Sequence, residues 1–263
     1  MANATLTRIA ALIGTARLSA SPVPDLPETD SPAHIEDGYA MQAALHRYFQ
    51  EETGSSLAGW KIGATTTSMQ DYLGVDGPAY GRVMANNVHS NGAVLAAADF
   101  CNPGIECEIG MRIESNAGYA RYTSDTIGDI VGSVFPAVEI VENRYGDFLA
   151  RGTPALIADD FFHKACVLGN EIQDWQGIDL AAAAGRTLID GEEQGSGTGA
   201  EVMGHPLEAL AWLANTLADH GERLTAGQIV LTGSVAPVIW VESESAEAAI
   251  ELDGLGHVNL TLG

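Results

Sequence analysis

From residue 57 to the C-terminus short apolar runs follow one another, separated by turns rich in glycine and small polar residues: "GRVMANNV", "GAVLAAADF", "GIECEIGMRI", "SVFPAVEIVENR", "KACVLG", "GQIVLTG", "APVIWVE" and "HVNLTLG". Runs this short and this rich in Val and Ile are strands rather than helices. One stretch breaks the series, "HPLEALAWLANTLADHG". Pro206 sits in its first turn, Leu207, Leu210, Leu213, Ala214 and Leu217 recur at helical spacing, and Gly221 stops it. Such a chain must pair its strands into sheets and cover them, which makes it an α+β protein with a mostly antiparallel core.

The first 56 residues read differently. Leu6, Ile9, Leu12, Ile13 and Ala16 fall at the spacing of a short amphipathic helix, a pattern that favours a structural helix over a signal peptide. Residues 19–32, with four prolines, form an extended connector. Ser31 and Pro32 then read as the N-cap and first turn of a helix carrying Ile35, Tyr39, Gln42, Leu45 and Phe49, which stops near Gly54. The expected organisation is a helical N-terminal segment with a proline-rich linker over residues 1–56 and a β-rich catalytic core over 57–263.

Acids outnumber bases 35 to 12, for a net charge of −23. Nucleic acid and anionic membrane are gripped through clustered Lys and Arg, so neither is an expected partner. No apolar run approaches a membrane span. Three unevenly spaced cysteines make no disulfide framework, and the expected compartment is a reducing cytoplasm. The only lysines are Lys61 and Lys164, and a surface this acidic and lysine-poor suits a salty medium.

Within "GIECEIGMRI" the strand alternation puts Glu106 and Glu108 on one face and Cys107, Ile109 and Met111 on the other. On spacing alone, such a pair reads as a solvated strand face, because acid-x-acid triplets recur by chance in an acidic chain. Two features favour a cation instead: the flanking residues are apolar with no neutralising base, and "FPAVEIVENRY" carries another glutamate, Glu139, in an equally apolar run. Three converging carboxylates make a hard oxygen site for Mg²⁺ or Mn²⁺, whereas zinc prefers His or Cys. Lys61, flanked by glycines in "GWKIGAT", is either a plain surface residue or a group that binds an anionic substrate or moves a proton. The turn at Thr232, Gly233 and Ser234 offers N–H groups and hydroxyls to an anion, and His163 is a titratable group among aromatics. No G-x-S-x-G, P-loop or dinucleotide fingerprint is present.

Seven segments in order carry a resemblance: "YAMQ", "GWKIGATTTSMQ", "LGVDGPAYG", "GIECEIGMRI", "PAVEIVENRY", "GHPLEALAWLAN" and "LTAGQIVLTGS". Together, over residues 35 to the C-terminus, they resemble the 2-oxopent-4-enoate hydratase / 4-oxalocrotonate decarboxylase branch of the fumarylacetoacetate hydrolase superfamily. The resemblance implies a mixed β-sandwich or roll with a helical N-terminal segment, assembled as a homo-oligomer built on dimers. It implies Mg²⁺ or Mn²⁺ held by Glu106, Glu108 and Glu139, and a catalytic role for Lys61. The implied reaction is lyase chemistry on a small 2-oxo or 2-hydroxydienoic acid from aromatic catabolism, with Arg144 and Ser234 as candidates for binding its anionic end. In such chemistry the metal stabilises an electron-rich dienolate that serves water addition and loss of CO₂ alike, so the proton-handling group decides between hydratase and decarboxylase. A C–C hydrolase of the wider superfamily or a non-catalytic metal-binding relative are further alternatives. The chain departs from the hydratase pattern in three places. "PAYG" has Ala79 where an acid is usual, "DDFFH" replaces small hydroxyl residues with Phe161, Phe162 and His163, and a late "GD" is absent at "VESES". Asp76, Tyr80 and His163 are the candidates to replace the missing acid.

Overall fold

The computed structural model describes residues 3–27, 30–242 and 245–263. Glu28 and Thr29 of the proline-rich connector and Ser243 and Glu244 of the "VESES" stretch lie outside the described residues.

Helix α1 (Asn3–Leu18) buries Leu6, Ile9, Ile13 and Ala16, the face its spacing predicts. Helix α2 (Ile35–Thr53) ends at Gly54, whose φ of 68° is left-handed and free of cost without a side chain. Its start corrects the sequence reading: His34 is the N-cap, and Ser31 instead turns back, its N–H and hydroxyl both directed at the Pro27 carbonyl. The two helices are not a separate unit. They share one apolar cluster with Ala79, Met84, Leu156 and Phe161 of the strand-rich part.

Strand β1 (Leu57–Gly63) is followed by the short helix α3 (Thr67–Leu73), capped by Thr66, whose hydroxyl accepts the Met69 N–H at 3.1 Å. Then come β2 (Ala79–Met84), β3 (Val88–Ser90), β4 (Ala93–Leu95) and β5 (Pro103–Ile113). After the single turn α4 (Ser124–Ile127) the chain forms β6 (Val131–Glu142), α5 (Thr153–Ala158), β7 (His163–Leu168), β8 (Ala184–Ile189) and β9 (Glu192–Thr198). Helix α6 (Pro206–Asp219) precedes β10 (Ile229–Ser234), β11 (Ile239–Trp240), β12 (Ala246–Leu252) and β13 (Gly256–Leu262).

The strands form two sheets. The first runs β2-β1-β10-β5-β6-β7-β3, with β11 also on β5, and the second runs β4-β13-β12-β8-β9. Most pairs are antiparallel, but β1 with β10, β3 with β7 and β4 with β13 are parallel, so the sheets are mixed. The second sheet packs over β5 and β6 of the first. Into that interface β5 sends Ile105, Cys107, Ile109 and Met111, all fully buried, to join Val134, Val138 and Ile140 of β6 and Val258 and Leu260 of β13. Alternation therefore forces Glu106 and Glu108 onto the opposite face of the first sheet. Among the described residues no helix is long and apolar enough to cross a membrane.

Candidate active site

The β5–β6 register sets the site. Glu106 and Glu139 are directly opposed in the antiparallel ladder, and Glu108 lies two residues along the same face, opposite Ser234 of β10. One carboxylate oxygen from each of the three falls within 4.8 Å of the others. Glu108 and Glu139 are completely buried, and Glu106 is partly open to a pocket. Three like charges packed this closely are stable only with protons or a cation among them.

Each carboxylate responds differently. Burial, then Glu139, push the Glu106 carboxyl up to about 7, with Lys61 opposing. Burial, then Glu139 and Glu106, hold Glu108 well above the usual carboxylate range against one favourable bond, the Gly233 N–H donated to Oε2 at 2.7 Å. Burial also acts to raise Glu139, but Lys61 and a hydrogen bond from His163 overcome it and leave its pKa at about 2. Lys61 Nζ stands 3.3 Å from Glu139 Oε1, and His163 Nδ1 meets the same oxygen at 2.8 Å. An ionised carboxylate only accepts, so Nδ1 carries the proton. Burial lowers the His163 pKa, so the ring is neutral.

With all three carboxylates ionised, Glu108 Oε1 and Glu139 Oε2 have no donor among the described residues. Otherwise Glu108 keeps a proton and hydrogen-bonds Glu139, which raises the one pKa and lowers the other. Two buried bare oxygens in an all-oxygen set with Glu106 fit a hard divalent cation, Mg²⁺ or Mn²⁺, and offer nothing that zinc prefers.

Lys61 reaches this face because β1 pairs with β2 so that Lys61 opposes Gly81 and Gly63 opposes Ala79. Both glycines are required by what crosses them. A Cβ on Gly63 would lie 2.4 Å from the Phe161 ring, and one on Gly81 would lie 2.4 Å from the Asp160 carbonyl. Asp160, Phe161 and Phe162 form a left-handed turn with φ of 52°, 50° and 71°, a costly conformation for residues with side chains. The turn is pinned by charge. Arg17 at the end of α1 donates to Asp160 at 2.6 Å and to the His163 carbonyl at 2.8 Å, and His46 Nε2 lies 2.9 Å from the Asp160 carboxylate. It sets Phe161 beside Lys61, with Nζ 5.5 Å from the ring centre, and delivers His163 to Glu139.

Two lobes open from Glu106. One, of about 320 Å³, is hydroxyl-rich, with Thr65, Thr66, Ser68, Ser196 and Ser234 in its wall. The other, of about 360 Å³, is aromatic, walled by Tyr72, Phe148, Phe161, Phe162 and Trp240, with Lys61 at its base. Met69, Val238 and Glu106 belong to both.

The structure thus brings together Lys61, Glu106, Glu108, Glu139 and Ser234. Ser234 lines the hydroxyl lobe while its own proton goes to the Ala236 carbonyl at 2.7 Å. Arg144 stands elsewhere. It is buried and lines neither lobe, and its guanidinium is spent on Glu142 at 2.7 Å and Asp159 at 2.7 Å. An arginine held by two buried carboxylates is not free to bind a substrate anion. Of the candidates for the missing acid, Asp76 is exposed outside both lobes. Tyr80 alternates onto the face opposite Lys61, where its hydroxyl meets His220 Nδ1 at 2.8 Å. His163 is at the site but fully buried behind Glu139, with Nδ1 on that carboxylate and the ring in the wall of neither lobe. Arg17, His46, Asp159 and Asp160 were not singled out from sequence. Their only signal was that charges adjoining the "DDFFH" departure needed partners.

A carboxylate triad beside a lysine, on the outer face of a two-sheet core, is the kind of site that a metal-dependent enzyme uses. The model of the fumarylacetoacetate (FAA) hydrolase C-terminal family matches residues 80–262, and the chain belongs to that family. It is 31% identical over 256 residues to a 2-keto-4-pentenoate hydratase of Burkholderia vietnamiensis, covering 97% of each chain. It is 30% identical over 224 residues to a 4-oxalocrotonate decarboxylase of Pseudomonas putida, covering 85% of this chain and 83% of that one. Among solved structures, the 4-oxalocrotonate decarboxylase of Pseudomonas putida G7 complexed with magnesium and adipate superposes with a TM-score of 0.91 at 25% identity, covering 99% of this chain and 98% of that one.

Proposed function

We propose that this chain is a Mg²⁺-dependent lyase that adds water to a small 2-hydroxydienoic acid or its 2-oxo form, in the manner of a 2-keto-4-pentenoate hydratase. The observation that carries this is the triad with its two unpartnered oxygens, set beside Lys61 at the meeting point of two lobes. Glu106, Glu108 and Glu139 would hold the ion. When bound, it supplies Lewis acidity toward a 2-oxo acid carboxylate and its adjacent oxygen.

The chain's own groups do the rest. His163 fixes the orientation of Glu139, as the outer partner of a metal-binding carboxylate does. Lys61, buried between Glu139 and Phe161, is the positively charged group at the base of the aromatic lobe, able to hold the substrate's anionic end or to pass a proton. The hydroxyls of Thr65, Ser68 and Ser196 give the other lobe hydrogen-bonding walls for a polar head and for water. Ala79 leaves the hydratase pattern's acid absent, which favours a second reading as a decarboxylase of the 4-oxalocrotonate type.

Incubating the protein with Mg²⁺ or EDTA and a panel of 2-hydroxydienoates and 2-oxoenedioates, with products weighed by mass spectrometry, tests both. A Mg²⁺-dependent gain of one water supports the hydratase. Loss of CO₂ supports the decarboxylase, and no conversion of any compound overturns both.

A further inference from the structure

The two lobes differ from each other in chemistry but share an absence: Lys61 is the only basic residue among their described lining residues. It already faces Glu139. Three ionised carboxylates, this lysine and a divalent cation together carry no net charge, so one substrate carboxylate already leaves the site net negative, and a second adds to a charge that no group on the walls offsets. The remaining charges on the walls make the case stronger, because they are acids. Glu201 lines the hydroxyl lobe and Glu242 the aromatic one. A second carboxylate on the substrate would meet like charge in either direction.

The aromatic lobe, by contrast, is furnished for hydrocarbon. Phe161 and Phe162 pack edge to face with ring centres 5.7 Å apart, and Phe148 meets Phe162 in the same way at 5.4 Å. Trp240 and Met69 extend this wall. A dry cavity of about 150 Å³ already accommodates benzene. The lobe's 360 Å³ therefore exceeds what a methyl or vinyl tail would fill. The strained turn that sets Phe161 beside Lys61 also brings Phe162 edge to face with Phe148 in the wall of this lobe.

We propose that the substrate is a monocarboxylate, a 2-oxo or 2-hydroxydienoic acid whose far end is a bulky apolar group of about ring size, housed against Phe148, Phe161, Phe162 and Trp240. The proposal rests on the 2-oxo acid reading above and, within it, disfavours the branch in which a second carboxylate leaves as CO₂.

Calorimetric titration of the Mg²⁺-loaded protein with four probes tests it without turnover: pyruvate, 2-oxohexanoate, 4-phenyl-2-oxobutanoate and 2-oxoadipate. The phenyl compound is expected to bind roughly ten- to a hundredfold more tightly than pyruvate, the value of burying an apolar group of that size. 2-Oxoadipate is expected to bind at least about tenfold more weakly than 2-oxohexanoate, which has the same chain length but no second charge. Replacing the half-exposed Trp240 by arginine (W240R), with folding checked by circular dichroism, is expected to reverse the second preference. Equal or tighter binding of 2-oxoadipate by the unaltered protein, or no gain from the phenyl group, would overturn the proposal. An unchanged preference in W240R would also overturn it, by removing the tail from this lobe. If Mg²⁺ binds but none of the four acids does, pyruvate included, the 2-oxo acid reading itself fails.

Discussion

Glu139 meets a lysine and a histidine on one oxygen and leaves the other bare, so it is the carboxylate on which the proposed ion site turns. Glu139→Gln should lower Mg²⁺ affinity by about 100-fold or more. His163→Gln, which removes only the orienting bond, should lower it by about 10- to 100-fold, both measured by calorimetry. If His163→Gln leaves the affinity untouched, the ring is packing and nothing more. Lys61→Met makes the complementary prediction: Mg²⁺ binding survives, while turnover falls by at least about 10²-fold, the usual contribution of a positioned proton-handling group. These groups could be found in the sequence because each is a charge in an apolar strand, where alternation alone fixes the face. Arg144 was misjudged for the same reason in reverse. It adjoins the right strand, but whether Asp159 or a substrate claims its guanidinium depends on a partner 15 residues away that no local pattern reveals.

The turn at Asp160–Phe162 is the element that joins α1 and α2 to the site, and electrostatics hold it. Burial alone would raise the Asp160 carboxyl, yet the hydrogen bond from His46 Nε2, the Arg17 guanidinium and the Arg82 backbone N–H take it well below the usual range. Asp160→Asn leaves Arg17 buried without its closest carboxylate and should destabilise the protein by about 3–5 kcal/mol in denaturant unfolding. Burial lowers the His46 pKa, outweighing Asp160. A histidine that stays neutral when folded takes up its proton on unfolding, so its contribution is present above about pH 6.5 and fades as pH falls below it. Asp160 adds a loss of the same sign once the pH drops under about 4, where the unfolded carboxyl protonates first. Glu106 and Glu108, whose carboxyls are raised, act in the opposite sense as they take up protons. The test is therefore a difference: the Tm gap between the unaltered protein and His46→Gln should narrow as pH falls from 8 to 5, and a constant gap would remove His46 from the account. At this scale the sequence was partly legible. The α6 pattern and the runs that became β5, β6, β7, β10 and β13 stand where their periodicity puts them. The β8–β9 hairpin was invisible because "EEQGSGT" is glycine-rich and polar, and only its edge pairing makes it a strand. The start of α2 was misplaced because Ser31 found a nearer carbonyl at Pro27. "APVIWVE" contributes only two paired residues, Ile239 and Trp240, the rest of that run being given to the pocket wall.

Over the whole molecule, a net charge of −23 on 263 residues sets up self-repulsion that the scattered surface ion pairs do not cancel. Raising NaCl from 0.1 M to 1 M shortens the screening length from about 10 Å to about 3 Å. Tm should rise over that range, and a flat or falling Tm would remove the case for a salt-adapted surface. A strand-rich, mostly antiparallel core followed from the short apolar runs, and the sandwich or roll was implied by the resemblance, but the parallel pairing of β1 with β10 was not legible, because it joins segments far apart in the chain. The same separation governs Arg17, whose carboxylate partner lies 143 residues further on. At ordinary rates of synthesis that is a delay of roughly 7–30 seconds between the emergence of the arginine and of the aspartate that will hold it. During this interval the guanidinium lacks the partner that holds it in the folded protein. The pocket wall needs that pairing and also Ser234, Val238 and Trp240 from near the chain's end, so it cannot be completed until most of the molecule has been made.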